Sequence, residues 1–136
     1  VTGILIQKMI RGSELFCGAT REGRFGHLVM AGMGGIFIEV FKDVATALVP
    51  VSDQEARSMI RSLKSYKILK GVRGAAGIHE EAFAKVITSL SDLLSAAPEI
   101  EEMDINPLLG TPERIVAVDA RIRVGTLQSA GRNRPL

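Results

Sequence analysis

A chain of 136 residues, 46% of them hydrophobic and 24% charged, has the balance of one compact globular domain and not of a disordered or fibrous polymer. Lysine and arginine exceed aspartate and glutamate by 17 to 15; the extra positives fall largely between Arg121 and Arg132, and no basic stripe along a helix is legible, which argues against nucleic acid as a partner. Aromatic residues make up 4%, with no tryptophan, so the stacking platforms of single-strand binders are missing too.

The chain opens directly on a strand-like run, with no initiator methionine, which reads as a fragment or a subunit. Residues 3–10 and 14–20 are β-branched and apolar, separated by the turn signals Arg11-Gly12-Ser13 and followed by Arg21-Glu22-Gly23, which predicts antiparallel strands. Cys17, the only cysteine, lies in the second run; it excludes an internal disulfide and predicts a buried thiol in a reducing compartment, the cytoplasm by default. Residues 27–33 form another run ending at Gly34-Gly35, residues 36–40 resume the strand pattern, and residues 44–51 are again apolar, giving four or five strands in all.

Ser52 followed by Glu55 fits a capping box, which starts a helix whose Ala56, Met59, Ile60 and Leu63 are buried while Arg57, Arg61 and Lys64 face water. Residues 70–77 read as a basic, glycine-rich loop. Phe83, Val86, Ile87, Leu90, Leu93 and Leu94 then repeat at helical spacing and predict a second, longer helix ending before Pro98. Residues 99–109 and 114–124 are strand-like and joined by a hairpin signal, Gly110-Thr111-Pro112-Glu113. Residues 125–136 are polar and aperiodic and read as a tail or linker. No apolar run approaches the ~20 residues needed to span a bilayer, and the start lacks the layout of a signal peptide, so a soluble protein is expected, not a membrane partner. The expected fold class is α+β, two helices packed on a mostly antiparallel sheet.

Chemistry concentrates in the last hairpin. Alternation puts Asp104 and Asn106 on one face and Met103 and Ile105 on the other, while Asp119 and Arg121 share a face of the next strand. With a four-residue loop at 111–114, Gly110 pairs with Ile115, which counts back to Asn106 opposite Asp119 and Asp104 opposite Arg121. One carboxylate and one amide oxygen suit magnesium, which keeps waters and takes further ligands from nucleotide phosphates. A solvated polar face with an Asp104 to Arg121 pair accounts for the same spacing equally well.

Met103-Asp-Ile-Asn-Pro-Leu-Leu109 followed by Val116-Ala-Val-Asp-Ala120 resembles the closing hairpin of succinyl-CoA synthetase β subunits and the related ADP-forming acyl-CoA synthetases. The resemblance implies that Asn106 and Asp119 bind magnesium. Gly3-Ile-Leu-Ile-Gln-Lys-Met-Ile10 is similar to the strand and hinge that hold adenine in ATP-grasp enzymes, implying nucleotide contacts at Gln7, Lys8, Met9 and Ile10 and a ribose contact at Glu14. Gly32-Met-Gly-Gly-Ile-Phe-Ile-Glu39 matches the family's glycine loop and acidic residue, implying that Gly34 and Gly35 border a phosphate cleft and that Glu39 orients a group there. Lys70-Gly-Val-Arg-Gly74 also resembles a family segment; it reads as a solvated loop or one that meets a phosphate or partner domain.

The resemblance spans roughly residues 3–124 and implies the carboxyl-terminal part of an ATP-grasp domain, residues 1–124. The implied enzyme is an acid-CoA ligase that interconverts acyl-CoA, ADP and phosphate with acid, CoA and ATP through a phosphohistidine. Mg2+ and ATP or ADP are the implied cofactors, CoA-binding domains or a CoA-binding subunit the implied partner, with a homo-oligomer possible. His27 stands where proline is expected, and neither His27 nor His79 matches the phosphorylated histidine. Alternatives are a synthetase-like regulatory module of a bacterial protein acetyltransferase, or an assembly domain.

Overall fold

A computed structural model describes residues 2–126. Six strands form one antiparallel sheet: β1 (Ser13–Arg21), β2 (His27–Met33), β3 (Val44–Leu48), β4 (Ile100–Gly110), β5 (Ile115–Ala117) and β6 (Ala120–Val124). The order is β3-β2-β1-β4-β5, with β6 continuing along β4 beyond β5. Among the described residues four α-helices complete the fold, α1 (Ile36–Glu39), α2 (Asp53–Ser62), α3 (Tyr66–Lys70) and α4 (Glu80–Ala96), with a short 3-10 turn at Gly23–Phe25. The expected tail lies outside the described residues from 127 onward.

One sheet face is apolar at every second residue. Leu15, Cys17 and Ala19 of β1 and Val29, Ala31 and Met33 of β2 are buried, as strand alternation requires. Helices α2 and α4 cover that face with Ala56, Met59, Ile60, Phe83, Ile87 and Leu94. The predicted capping box at Ser52 and Glu55 is present, and the predicted burial of Ala56, Met59, Ile60 and Leu63 holds. Arg57 and Arg61 reach further than solvent, to Glu81 at 2.8 Å and Glu80 at 2.9 Å, and so tie α2 to α4. On α4, Leu93 is exposed and Val86 only half-buried; they line an apolar groove of about 430 Å³ with Ile105, Leu108 and Ile115.

Two predicted strands are not strands. Residues 3–10 carry a strand-like sequence but pair with no strand of the sheet, and β1, which follows them, has β2 on one side and β4 on the other. An apolar run that pairs with no strand gains none of the backbone hydrogen bonds that define one. Residues 36–40 are helical instead. Gly35 adopts φ +61°, a conformation glycine takes without steric cost, and its carbonyl then accepts from the Ile38 and Glu39 amides. The turn brings Phe37 and Phe41 together, ring centroids 5.9 Å apart, so the apolar spacing is used at four residues and not two.

Candidate functional site

The hairpin register is the one that counting predicts. Gly110 pairs with Ile115, Asp104 with Arg121, and the Asn106 amide donates to the Asp119 carbonyl at 3.1 Å. Against β1, the pairing steps from Cys17–Ile105 to Leu15–Leu108, so β4 carries one extra residue at Asn106 and Pro107. Such a bulge reverses the alternation. Met103 lies on the helix side before it and Leu108 after it, which leaves Asp104, Asn106 and Leu109 together on the open face.

Asn106 and Asp119 are both exposed on that face. One Asp119 oxygen, Oδ1, accepts from the Ala120 amide at 3.0 Å, and Oδ2 is 3.9 Å from Arg121 Nε. Arg121 therefore leans toward Asp119, and no ion pair links it to Asp104. Among the described residues no three or more His, Cys, Asp or Glu side chains gather as a ligand set. A cation at this hairpin would draw two oxygens from protein and the rest from water or phosphate, the donor balance that suits magnesium.

The other predicted residues gather along the same open face. Gln7, Lys8, Met9 and Ile10 line a cavity of about 430 Å³ whose opposite wall is Leu109, Ala117 and Val118. Val118 precedes Asp119, and its amide donates to the Pro107 carbonyl at 3.0 Å. Glu14 pairs directly with Leu109 and shares its face. Its carboxylate rests against Gly35, where an added Cβ would sit 3.1 Å from Glu14 Oε2, and its Cβ would be 3.3 Å from one at Gly34. The Gly34 amide donates to the Glu14 carbonyl at 2.8 Å, so the glycine pair is fixed to β1 at this point. Residues 7–10, Glu14, the glycine pair and the hairpin are thus linked along one face.

Glu39 is the exception. It was expected on a strand, but lies exposed on α1, and its side chain makes no hydrogen bond or ion pair with another described residue. Leu109, Ala117 and Val118 were not singled out from sequence. The register that pairs Asn106 with Asp119 already places Leu109 and Val118 next to them, and that signal could have found them. Both histidines have structural tasks: His27 is buried and its Nε2–H donates to the Ile100 carbonyl at 2.6 Å, while His79 Nδ1 accepts from Ala82 at the start of α4.

The sequence profile of the ATP-grasp domain family matches residues 1–124. The chain belongs to the ATP-grasp domain family. Within it, the β subunit of the ADP-forming acetate–CoA ligase I of Pyrococcus furiosus is 41% identical over 121 residues, covering 88% of this chain and 52% of that subunit. The ADP-forming 4-hydroxybutyrate–CoA ligase of Nitrosopumilus maritimus is 46% identical over 110 residues, 80% of this chain and 16% of that protein. An acetyl-coenzyme A synthetase from Ca. Korarchaeum cryptofilum, solved with coenzyme A and Mg-AMPPCP and with its phosphohistidine segment pointing towards the nucleotide site, superposes with a TM-score of 0.81. It is 40% identical, over 85% of this chain and 55% of that one. This ATP-grasp chain thus spans about half the length of the Pyrococcus subunit. Among its described residues no helix is long and apolar enough to cross a membrane.

Proposed function

We propose that the chain is the nucleotide- and magnesium-binding part of an ADP-forming acyl-CoA synthetase, which interconverts acyl-CoA, ADP and phosphate with acid, CoA and ATP through a phosphohistidine. The observation that carries this reading is the cavity between residues 7–10 and the β4–β5 hairpin, lying beside the Asn106–Asp119 pair. The named activities of the Pyrococcus and Nitrosopumilus relatives support it. The relatives are longer, so the reaction requires parts beyond this chain: a histidine to carry phosphate, and CoA-binding domains in the same chain or another subunit.

In this reading the backbone amides and carbonyls of Gln7–Ile10 read the base edge, with Met9 and Leu109 as apolar walls. Glu14 accepts hydrogen bonds from the ribose hydroxyls. Gly34 and Gly35 let phosphate oxygens approach the main chain, since neither carries a side chain to exclude them. Glu39 orients a group at the far side of the cleft. Asn106 and Asp119 hold magnesium, which when bound neutralises charge on the transferring phosphates. Phosphoryl transfer depends chiefly on position and on such neutralisation, so these residues are positioning elements with no proton transfer among them. The buried thiol of Cys17, pushed up to about 12 by desolvation, suits a reducing cytoplasm.

The test is calorimetric titration of magnesium-ADP into the complete protein. Native protein is expected to bind, and Asn106→Ala and Asp119→Ala each to weaken binding roughly tenfold or more with magnesium but little without it. Absence of nucleotide binding by the native complete protein would overturn the reading.

A further inference from the structure

Beside the cleft, α1 and α3 form a second surface, of which the nucleotide reading uses only Glu39. Its centre is apolar. Phe41 is 61% exposed and Ile68 41%, and with Phe37 and Lys64 they border a cavity of about 210 Å³. Ile36, Val40 and Val72 on the same two segments are exposed as well. Large apolar side chains standing this far out, side by side, mark a contact surface more often than a solvated one.

The rim is cationic. Lys64, Lys67, Lys70 and Arg73 recur every third residue through α3 and the loop after it, and Lys42 follows Phe41; all five are exposed. Of these, Lys67 and Lys70 lie on α3 itself, three residues apart and so neighbours on its surface. The sequence reading found no such stripe because α3 itself was not predicted. The Lys70 ammonium lies over the Tyr66 ring, 5.8 Å from its centre, while none of the five cations is in an ion pair with a described residue.

The carboxylates of these segments do not offset the rim. Asp43 is buried and occupied by the Lys64 and Ser65 amides at 2.9 and 2.8 Å, leaving Glu39 as the single exposed acid. The patch therefore holds five basic residues and two acidic ones. Five against two is a local excess of three positive charges. An apolar centre with an unneutralised basic rim selects a partner of the opposite pattern.

We propose that the α1–α3 face docks an acidic polypeptide segment, carrying one large apolar side chain for the cavity between Phe41 and Ile68, from the domains that complete the enzyme. This rests on the reading of the chain as one part of an acyl-CoA synthetase. The relatives supply the reason for such a face. A similar segment is about half of a separate β subunit in Pyrococcus but only 16% of a single long ligase in Nitrosopumilus. Whether its neighbours are covalently attached or separate subunits, it needs a surface that holds them, and charge complementarity would set their register before the apolar contact closes.

The intact enzyme, with all its domains, is treated with a carbodiimide, which joins a lysine amine to a carboxylate only where the two already touch, and the products are mapped by mass spectrometry. Lys64, Lys67 or Lys70 is expected to be recovered joined to an aspartate or glutamate outside residues 1–136. Phe41→Asp and the double variant Lys64→Glu, Lys67→Glu are each expected to lower that yield roughly tenfold. Magnesium-ADP binding, measured on the same proteins, is expected to stay native, which separates lost docking from lost folding. Should Phe41→Asp fail to fold, the map of the native enzyme still decides. Coupling confined to carboxylates within residues 1–136, or none, overturns the proposal, as does rim-dependent co-sedimentation with phosphatidylserine vesicles or binding of a nucleic-acid duplex in place of coupling. If the native enzyme binds no magnesium-ADP yet couples as expected, the docking face stands and the nucleotide reading fails.

Discussion

Asp43 shows how one residue can fix a junction that motif reading passes over. It lies between α1 and β3, is almost wholly removed from water, and its two oxygens accept from the backbone amides of Lys64 and Ser65 at the approach to α3. Burial opposes the charged form, but the Ser65 hydroxyl, the two amides and the nearby Lys64 charge outweigh it, and the carboxyl is held below its ordinary value of 3.8. A carboxyl with a depressed value in the folded state stabilises fully above its unfolded value and loses that stabilisation as pH falls through the folded one. Asp43→Ala strands two amides and is expected to cost roughly 2 to 3 kcal/mol near neutral pH. In urea unfolding, the gap between native and Asp43→Asn protein should be full at about pH 7 and narrow steadily as pH drops below about 3.8 toward 2. A gap independent of pH would mean that the charge of Asp43 is immaterial and only its shape matters.

At the scale of elements, the legible parts are those decided by near neighbours. Ser52 and Glu55 are three residues apart and satisfy each other's amides, so the start of α2 needs nothing from the rest of the fold. Ser52→Ala is expected to cost about 1 kcal/mol of unfolding free energy, and a change within error would remove the cap from the account of α2. The last hairpin is legible for the same reason: a four-residue loop fixes the pairing of Asn106 with Asp119 by counting alone. What escapes is decided from a distance. Residues 3–10 have the composition of a strand, but composition does not supply a partner, and no strand of the sheet pairs with them. Residues 36–40 are β-branched enough for a strand, yet the positive φ of Gly35 and the packing of Phe37 against the core turn them into α1. The bulge at Asn106 and Pro107 is likewise invisible to alternation, which would have buried Leu109; the structure buries Leu108 and opens Leu109 to the cavity lined by residues 7–10. Of the candidate site, the hairpin pair and Glu14 were readable in position, whereas the wall supplied by Val118 and the helical setting of Glu39 required three dimensions.

For the molecule as a whole, the distribution of apolar surface makes a demand that its own core does not meet. Ile4, Leu5, Ile6 and Met9 are each at least 81% exposed in a segment without ladder hydrogen bonds. The groove beside Leu93 and the patch around Phe41 add two further uncovered apolar areas. Each large aliphatic side chain taken out of water contributes on the order of 1.5 to 3 kcal/mol, so covering the first segment alone outweighs the loss of freedom on associating only if several side chains are buried together. Self-association of the 136-residue chain is therefore expected, with residues 4–9 as its strongest driver because they combine apolar side chains with unpaired backbone groups, a template for edge pairing. Sedimentation velocity over a concentration series should show a rising weight-average mass, and the double variant Ile4→Glu, Ile6→Glu should return the chain to a monomer. The same variant should leave the thermal unfolding midpoint nearly unchanged, since those side chains contribute little to the core. A chain that stays strictly monomeric with its native sequence would mean that residues 4–9 find their cover within the chain, against the exposure seen here.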